Sequence, residues 1–427
     1  MIWGYKSLKK ILIVAQFTQL PGEQGNNRGR FKLISEMLSD KGYDVTVVTS
    51  KFRELDRTFR KDETDHNDAK YKIVLLDEAG YCKNVSFKRI YSMWSFSNNL
   101  KKYLNTNSEQ YDLIYACVPG LDSALVAGKY AKKKKVPFVI DVQDVWPEVM
   151  YDLVLDVPIL SDILFSPMQI MANKVYSMAD GIMAVSKTYL EIAKKKNKKS
   201  KLNNYVFIGT NLNEFDASIN SKVVNVDKPK EELWISYIGS LGHSYDILTF
   251  IEGTNIARKN GLNVRPIILG SGPLEKEFKK YAEKIESNAV FTGWVDHGTM
   301  GSYLKKSDAV INAIKKKAPQ SITNKIGDYL SSGRPILNGS QNQEFLNLMK
   351  EYEFGENYEP ENLESLSKAI QRLFQYSEET RKQMGKNSRK LAELKFDRKN
   401  TYPEIISMID ELVFKYFFRL LEKDHIL

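Results

Sequence analysis

The strongest constraint on what this chain can fold into is a periodicity that stops and then begins again. Through the first half, short apolar runs rich in β-branched residues alternate with stretches of helical spacing. Residues 10–17, 43–50, 111–117, 137–142 and 181–186 read as buried strands. Helices fill the intervals at 28–41, 121–134 and 187–196. In the first, Phe31, Ile34, Met37 and Leu38 share a face and Gly42 ends the helix. Strands alternating with helices of about 10–15 residues imply βαβ units, because parallel neighbours need a long crossover. A largely polar stretch, 218–230, is the expected linker. After it the pattern restarts, with strands 233–238, 264–269, 289–291 and 309–313 and helices 246–260, 274–286 and 299–306. A last helix, 403–421, cannot be assigned to either half from periodicity alone. The 427 residues, at about 150 per domain, suit two α/β halves.

Composition removes several function classes. The 42% hydrophobic and 27% charged shares are those of an ordinary globular protein. Cys82 and Cys117 stand in unrelated contexts and His66, His243, His297 and His425 are scattered, so no disulfide framework or zinc spacing is expected. Residues 11–17 are too short and wrongly flanked for a signal peptide, and no run of about 18 uncharged apolar residues occurs. The net charge of +10 is carried by lysine runs at 132–135, 194–201 and 315–317. Solvated helix ends or anionic lipid headgroups suit such runs better than nucleic acid, since no nucleic-acid-binding signature accompanies them. Residues 89–102 and 412–421 mix aromatic and basic side chains, a pattern open to either core packing or membrane contact.

Four segments carry chemistry. The turn after the first strand contains Gly25, Asn26, Arg28 and Arg30. Glycines between strand and helix admit a ligand to the backbone, and a helix N-terminus favours an anion, but the dinucleotide spacing is absent. Gly270-Ser-Gly272 lacks that spacing too and reads as a tight strand-to-helix turn. Gln143, Asp144 and Trp146 follow an apolar strand, where the carboxyl end of a parallel sheet meets its ligand; helix capping by Asp144 is the competing reading. The richest segment is 318–335. Asn324 is the expected N-cap, residues 325–332 the helix and Gly333 its stop. Lys325 beside a helix N-terminus makes a phosphate site. Asp328 lies about one turn further in, where a carboxylate can accept two ribose hydroxyls. Gly327 costs this helix about 1 kcal/mol relative to Ala, which implies a close approach.

These residues resemble the nucleotide-sugar site of the family 4 retaining glycosyltransferases, whose pattern is Glu-x7-Glu followed by a small-residue turn and Gly-x-Pro. The second acid falls on Asp328, in Asn324-Lys-Ile-Gly-Asp-Tyr-Leu-Ser-Ser-Gly-Arg-Pro335. Supporting segments follow in order along the chain: the Gly25 loop, Lys41-Gly-Tyr-Asp-Val-Thr-Val-Val48, Asp144-Val-Trp-Pro147, Val185-Ser186, Tyr237-Ile-Gly-Ser-Leu-Gly242, Leu269-Gly-Ser-Gly-Pro273 and Phe291-Thr-Gly-Trp-Val295. The Asp-x-Trp-Pro element is similar to the subgroup that builds bacterial surface polysaccharides.

The resemblance implies an α/β GT-B fold: two Rossmann-like domains facing across a cleft, with the terminal helix crossing back. Residues 1–212 with 402–427 would form the acceptor domain and 213–401 the nucleotide-sugar domain. It implies no cofactor and no metal, a nucleotide diphosphate sugar as donor (a UDP-sugar first), and a lipid-linked glycan as acceptor. The expected location is cytoplasmic, peripheral at the inner face of the plasma membrane where an anionic surface is used. Asp144, Gln143 and Gln320 would be catalytic. Gly25, Asn26, Ser240, His243, Ile322, Thr323, Lys325 and Asp328 would bind donor, and Arg28 and Trp146 acceptor. The chain departs from the pattern at five places, one of them Asp328, a methylene shorter than the Glu expected there. The first Glu is Gln320, the diphosphate-clamping Arg and Lys fall on Ser240 and Tyr245, and a common histidine falls on Gln143. A nucleotide-sugar 2-epimerase and a degenerate partner subunit are the alternative readings of this architecture.

Overall fold

The structure, a computed structural model, describes residues 9–23, 29–61, 68–83, 86–148, 158–221, 226–317 and 322–423. The chain divides into two compact units, Met1–Val206 with Tyr402–Leu427, and Phe207–Thr401.

The first unit begins with β1 (Lys10–Val14), α1 (Arg30–Asp40) and β2 (Asp44–Ser50). A short antiparallel hairpin, β3 (Phe52–Arg53) and β4 (Thr58–Phe59), precedes β5 (Lys72–Leu76) and α2 (Phe87–Thr106). Then come β6 (Leu113–Val118), α3 (Leu121–Lys134), β7 (Phe138–Val142), α4 (Pro158–Met178), β8 (Gly181–Ala184), α5 (Lys187–Lys196) and β9 (Leu202–Tyr205). The seven main strands form one parallel sheet in the order β5-β2-β1-β6-β7-β8-β9. Its centre is apolar on both faces: Ile11, Leu12, Ile13 and Leu113, Ile114 are fully buried. That explains why these strands read as continuous hydrophobic runs rather than alternating ones.

The second unit repeats the plan. It contains α6 (Leu212–Ser221), β10 (Leu233–Ile238), α7 (Ile247–Lys259), β11 (Val264–Leu269), α8 (Glu275–Lys284), β12 (Val290–Gly293), α9 (His297–Lys306) and β13 (Ala309–Asn312). It closes with α10 (Asn324–Ser331), β14 (Ile336–Asn338), α11 (Gln343–Tyr352), β15 (Gly355–Asn357), α12 (Leu363–Gln375), α13 (Glu378–Leu391) and α14 (Arg398–Thr401). Six parallel strands run in the order β12-β11-β10-β13-β14-β15. The expected linker is helical at its start. The Asn211 side chain accepts from the Glu214 N–H and α6 buries Phe215, so the helix runs to Ser221.

The terminal helix α15 (Pro403–Lys423) packs on the first unit. Tyr402, Ile405, Ile406, Ile409, Leu412 and Val413 join Ile11, Val45, Tyr115 and Met183 in one core. Gly181 admits this helix, since a Cβ there would stand 2.7 Å from Leu412 Cδ1. Packing thus accounts for Leu412 and Val413. No helix of the described residues is long and apolar enough to cross a membrane.

Candidate active site

In the second unit the strand order reverses at β10, which lies between β11 and β13. The carboxyl ends of β10 and β13 therefore open the crevice where such sheets take ligands. The chain leaves β10 through Gly239 at φ +142°, and a Cβ there would stand 2.8 Å from Lys325 Nζ. Lys325 is the second residue of α10. Its Nζ lies 3.6 Å from the centroid of the Tyr245 ring and 4.4 Å from that of Tyr237. It donates to Tyr237 Oη at 3.0 Å, and that hydroxyl donates to the Ser240 carbonyl at 2.8 Å. Among the described residues no carboxylate lies within ion-pair distance of Lys325. Burial pushes its pKa well below the ordinary lysine value, because a desolvated ammonium lacks a counter-charge here. The two aromatic faces are its partial replacement for water.

Asp328 sits one turn further along α10 and accepts from Thr210 Oγ at 2.9 Å. The close approach implied by Gly327 is made by the chain itself, for a Cβ there would meet Thr210 Oγ1 at 2.7 Å. Helix α10 starts one residue earlier than expected. Thr323, not Asn324, is the N-cap, and the Thr323 hydroxyl caps nothing and is buried without a partner among the described residues. The far end of the helix is held by Arg389, which donates to the Ser331 carbonyl at 3.1 Å and pairs with Asp216 at 2.7 Å. Ser240 and His243 are exposed and Ile322 is buried. Gln320 lies outside the described residues, as do Gly25, Asn26 and Arg28.

In the first unit, Gln143 continues the sheet by donating its N–H to the Val118 carbonyl at 2.8 Å. Its side-chain amide nitrogen is buried and has no partner. Asp144 accepts from the Trp146 indole at 3.0 Å, the Val145 N–H at 3.0 Å and the Tyr189 hydroxyl at 3.2 Å. Burial raises its pKa, and those donors and the Arg89 charge work against the rise. Arg89 lies 4.8 Å over the Trp146 ring. Near the carboxyl ends of β1 and β2 a cavity of about 450 Å³ opens between Phe17, Phe52, Glu54, Arg53 and Arg57. Arg30 does not offer charge to a ligand. It is buried and paired to Asp141 at 2.8 Å, where Tyr115 also donates at 2.7 Å. Among the described residues no cluster of His, Cys, Asp and Glu could hold a metal ion.

Sequence reasoning missed the roles of Tyr237, Tyr245 and Thr210. At position 245 it registered an absent cation. The structure shows that the ring there packs against the Lys325 amine delivered by α10.

Two parallel-sheet units in succession, each with chemistry at the carboxyl ends of its strands, make the GT-B architecture. Residues 31–202 match the family model described as Glycosyltransferase Family 4, and residues 232–376 the one described as Glycosyl transferases group 1. The chain therefore carries both glycosyltransferase domains in order, and it is a glycosyltransferase. Among solved structures it is similar to HepE of Anabaena in complex with UDP (TM-score 0.65, 14% identity, 95% of this chain and 100% of that one). It is also similar to sucrose-phosphate synthase of Thermosynechococcus elongatus (TM-score 0.69, 17% identity, 95% and 99%). A third is the lipopolysaccharide outer core galactosyltransferase WaaB (TM-score 0.58, 14% identity, 94% and 99%). No curated protein sequence matches the chain.

Proposed function

We propose that this glycosyltransferase moves a hexose-type sugar from a nucleotide diphosphate sugar, a UDP-sugar first, to a hydroxyl of a lipid-linked glycan precursor. The product would serve capsule, exopolysaccharide or O-antigen synthesis at the cytoplasmic face of an anionic membrane. The observation that carries the reading is Lys325, at a helix N-terminus one turn from Asp328, with no carboxylate of the described residues within ion-pair distance. A diphosphate placed there supplies the missing counter-charge and draws the lysine to its charged form. HepE, solved with UDP and with UDP-glucose, supports this choice of donor.

In this reading the second unit binds donor and the first binds acceptor. The bond from the anomeric carbon to the diphosphate oxygen breaks as the acceptor oxygen bonds the same face of that carbon. The acceptor proton passes to the departing phosphate oxygen, so no histidine base and no metal ion is used. Lys325 and the α10 N–H groups stabilise the leaving charge, the kind of effect that often dominates catalysis. Ser240, His243, Ile322 and Thr323 line the donor. Gln143, Asp144 and Gln320 position the reacting sugars, and Arg28 and Trp146 the acceptor.

Titration calorimetry with UDP and UDP-sugars tests it. Asp328→Ala removes charge-assisted hydrogen bonds worth about 1.5–3 kcal/mol, so donor affinity should fall roughly ten- to a hundredfold. Lys325→Met should fall at least as far. Unchanged affinity in both variants would refute the donor site. An inverted anomeric product by NMR would refute retention alone.

A further inference from the structure

The outer face of α2 gathers four of the exposed large apolar side chains of the described residues. Phe87, Ile90, Tyr91 and Trp94 fall at i, i+3, i+4 and i+7, the spacing that normally faces a core. Here they face solvent, at 92, 57, 59 and 54% exposure. The inner face is satisfied without them, for Met93, Phe96, Leu100 and Leu104 are buried. Tyr91 and Trp94 stack on each other 5.7 Å apart on the outside. Further along the same stripe the residues become Lys101 and Lys102, with Lys88 flanking its start, all exposed.

The charge on this helix is of one sign. Its 20 residues contain no Asp or Glu. Lys88, Lys101 and Lys102 make no ion pair among the described residues. On several other helices a surface lysine pairs with a glutamate one turn away, as in Lys32–Glu36, Lys279–Glu275, Lys368–Glu364 and Lys382–Glu378. Helix α3 packs against α2 and ends in the exposed Lys132, Lys133 and Lys134. Both helices run back along the same parallel sheet, so these lysines gather at the end of α2 that carries Lys101 and Lys102.

We propose that the outer face of α2 docks on an anionic lipid bilayer. The aromatic half enters the headgroup boundary, where amphipathic rings are favoured, and the unpaired lysines of α2 and α3 meet lipid phosphates. This rests on the membrane-associated acceptor of the proposed function, and it gives that reading a surface on the protein.

Flotation of the full chain with vesicles tests the surface. Binding is expected to vesicles of 30% phosphatidylglycerol in phosphatidylcholine, weakening as salt rises, and to be far weaker with phosphatidylcholine alone. Phe87→Ser/Trp94→Ser should lose binding. Lys88→Gln/Lys101→Gln/Lys102→Gln should weaken it by roughly fivefold per charge. Tryptophan fluorescence should shift blue on vesicles, and Trp94→Phe should abolish most of the shift. All these side chains are exposed, so melting temperature and UDP affinity should match wild type. That control separates failure of this surface from failure of the donor site. Absence of wild-type binding at low salt overturns the proposal, as does equal binding by the variants. So does a self-associating wild type whose dimer the Phe87→Ser/Trp94→Ser change dissolves, since the stripe would then cover a second copy.

Discussion

Lys325 and Glu78 are both ionisable groups held away from water, with opposite consequences. Lys325 has no carboxylate of the described residues within ion-pair distance. Glu78 is buried and accepts from Gln16 and from Ser92 at 3.1 Å. Burial pushes its carboxyl from 4.5 up to about 7, helped by the nearby Glu54 charge and opposed by the Gln16, Ser92 and Ser50 donors. The folded chain therefore binds more protons than the unfolded chain between about pH 4.5 and 7. Stability from this group is full below the lower value and lost as pH rises through the upper one. The difference is up to about 3 kcal/mol. Glu78→Gln should flatten the decline in melting temperature between those values. A variant that keeps the wild-type slope would show that another group sets it.

At the scale of elements, α10 shows that local propensity and local packing can oppose each other. Alanine at position 327 gains about 1 kcal/mol of helix propensity. Its Cβ would stand 2.7 Å from Thr210 Oγ1 and 3.2 Å from the Gly209 carbonyl carbon. Thr210 is buried and holds Asp328, so it cannot swing aside cheaply. Gly327→Ala should be net destabilising by about 1–2 kcal/mol, as overpacking usually is, and should weaken UDP binding as Asp328 loses its donor. In a double-mutant cycle, adding Thr210→Ala should recover stability without recovering affinity. Denaturant melts with calorimetry would read both. The periodicity of α10 was legible in sequence, whereas the neighbour that makes Gly327 necessary lies more than a hundred residues away along the chain.

For the molecule as a whole, chain order and packing order differ at the end. Residues from 402 onward follow the second unit in sequence but complete the core of the first. Seven of their apolar side chains are buried there, each worth roughly 1.5–3 kcal/mol, against a typical total stability of about 5–15 kcal/mol. A chain ending at Thr401 should therefore leave the first unit unfolded. Hydrogen exchange would show it as loss of protection in β1, β2 and β6. Retained protection there would mean that the terminal helix is dispensable.

Sequence by itself determined the two sheets, because a strand buried on both faces must be apolar along its whole length. It placed Lys325 and Asp328 near the start of one helix because caps, glycine stops and charges act within a few residues. It left α2 open between core packing and membrane contact, because its outward aromatics blur the difference between the two faces on which a helical pattern depends. It also gave no pairing for Arg30 with Asp141, 111 residues apart, or for Thr210 with Asp328. The tertiary structure alone decided which charges are spent on each other and which remain for a ligand or a surface. Burial and distance set that outcome, and neither is a property of neighbouring letters.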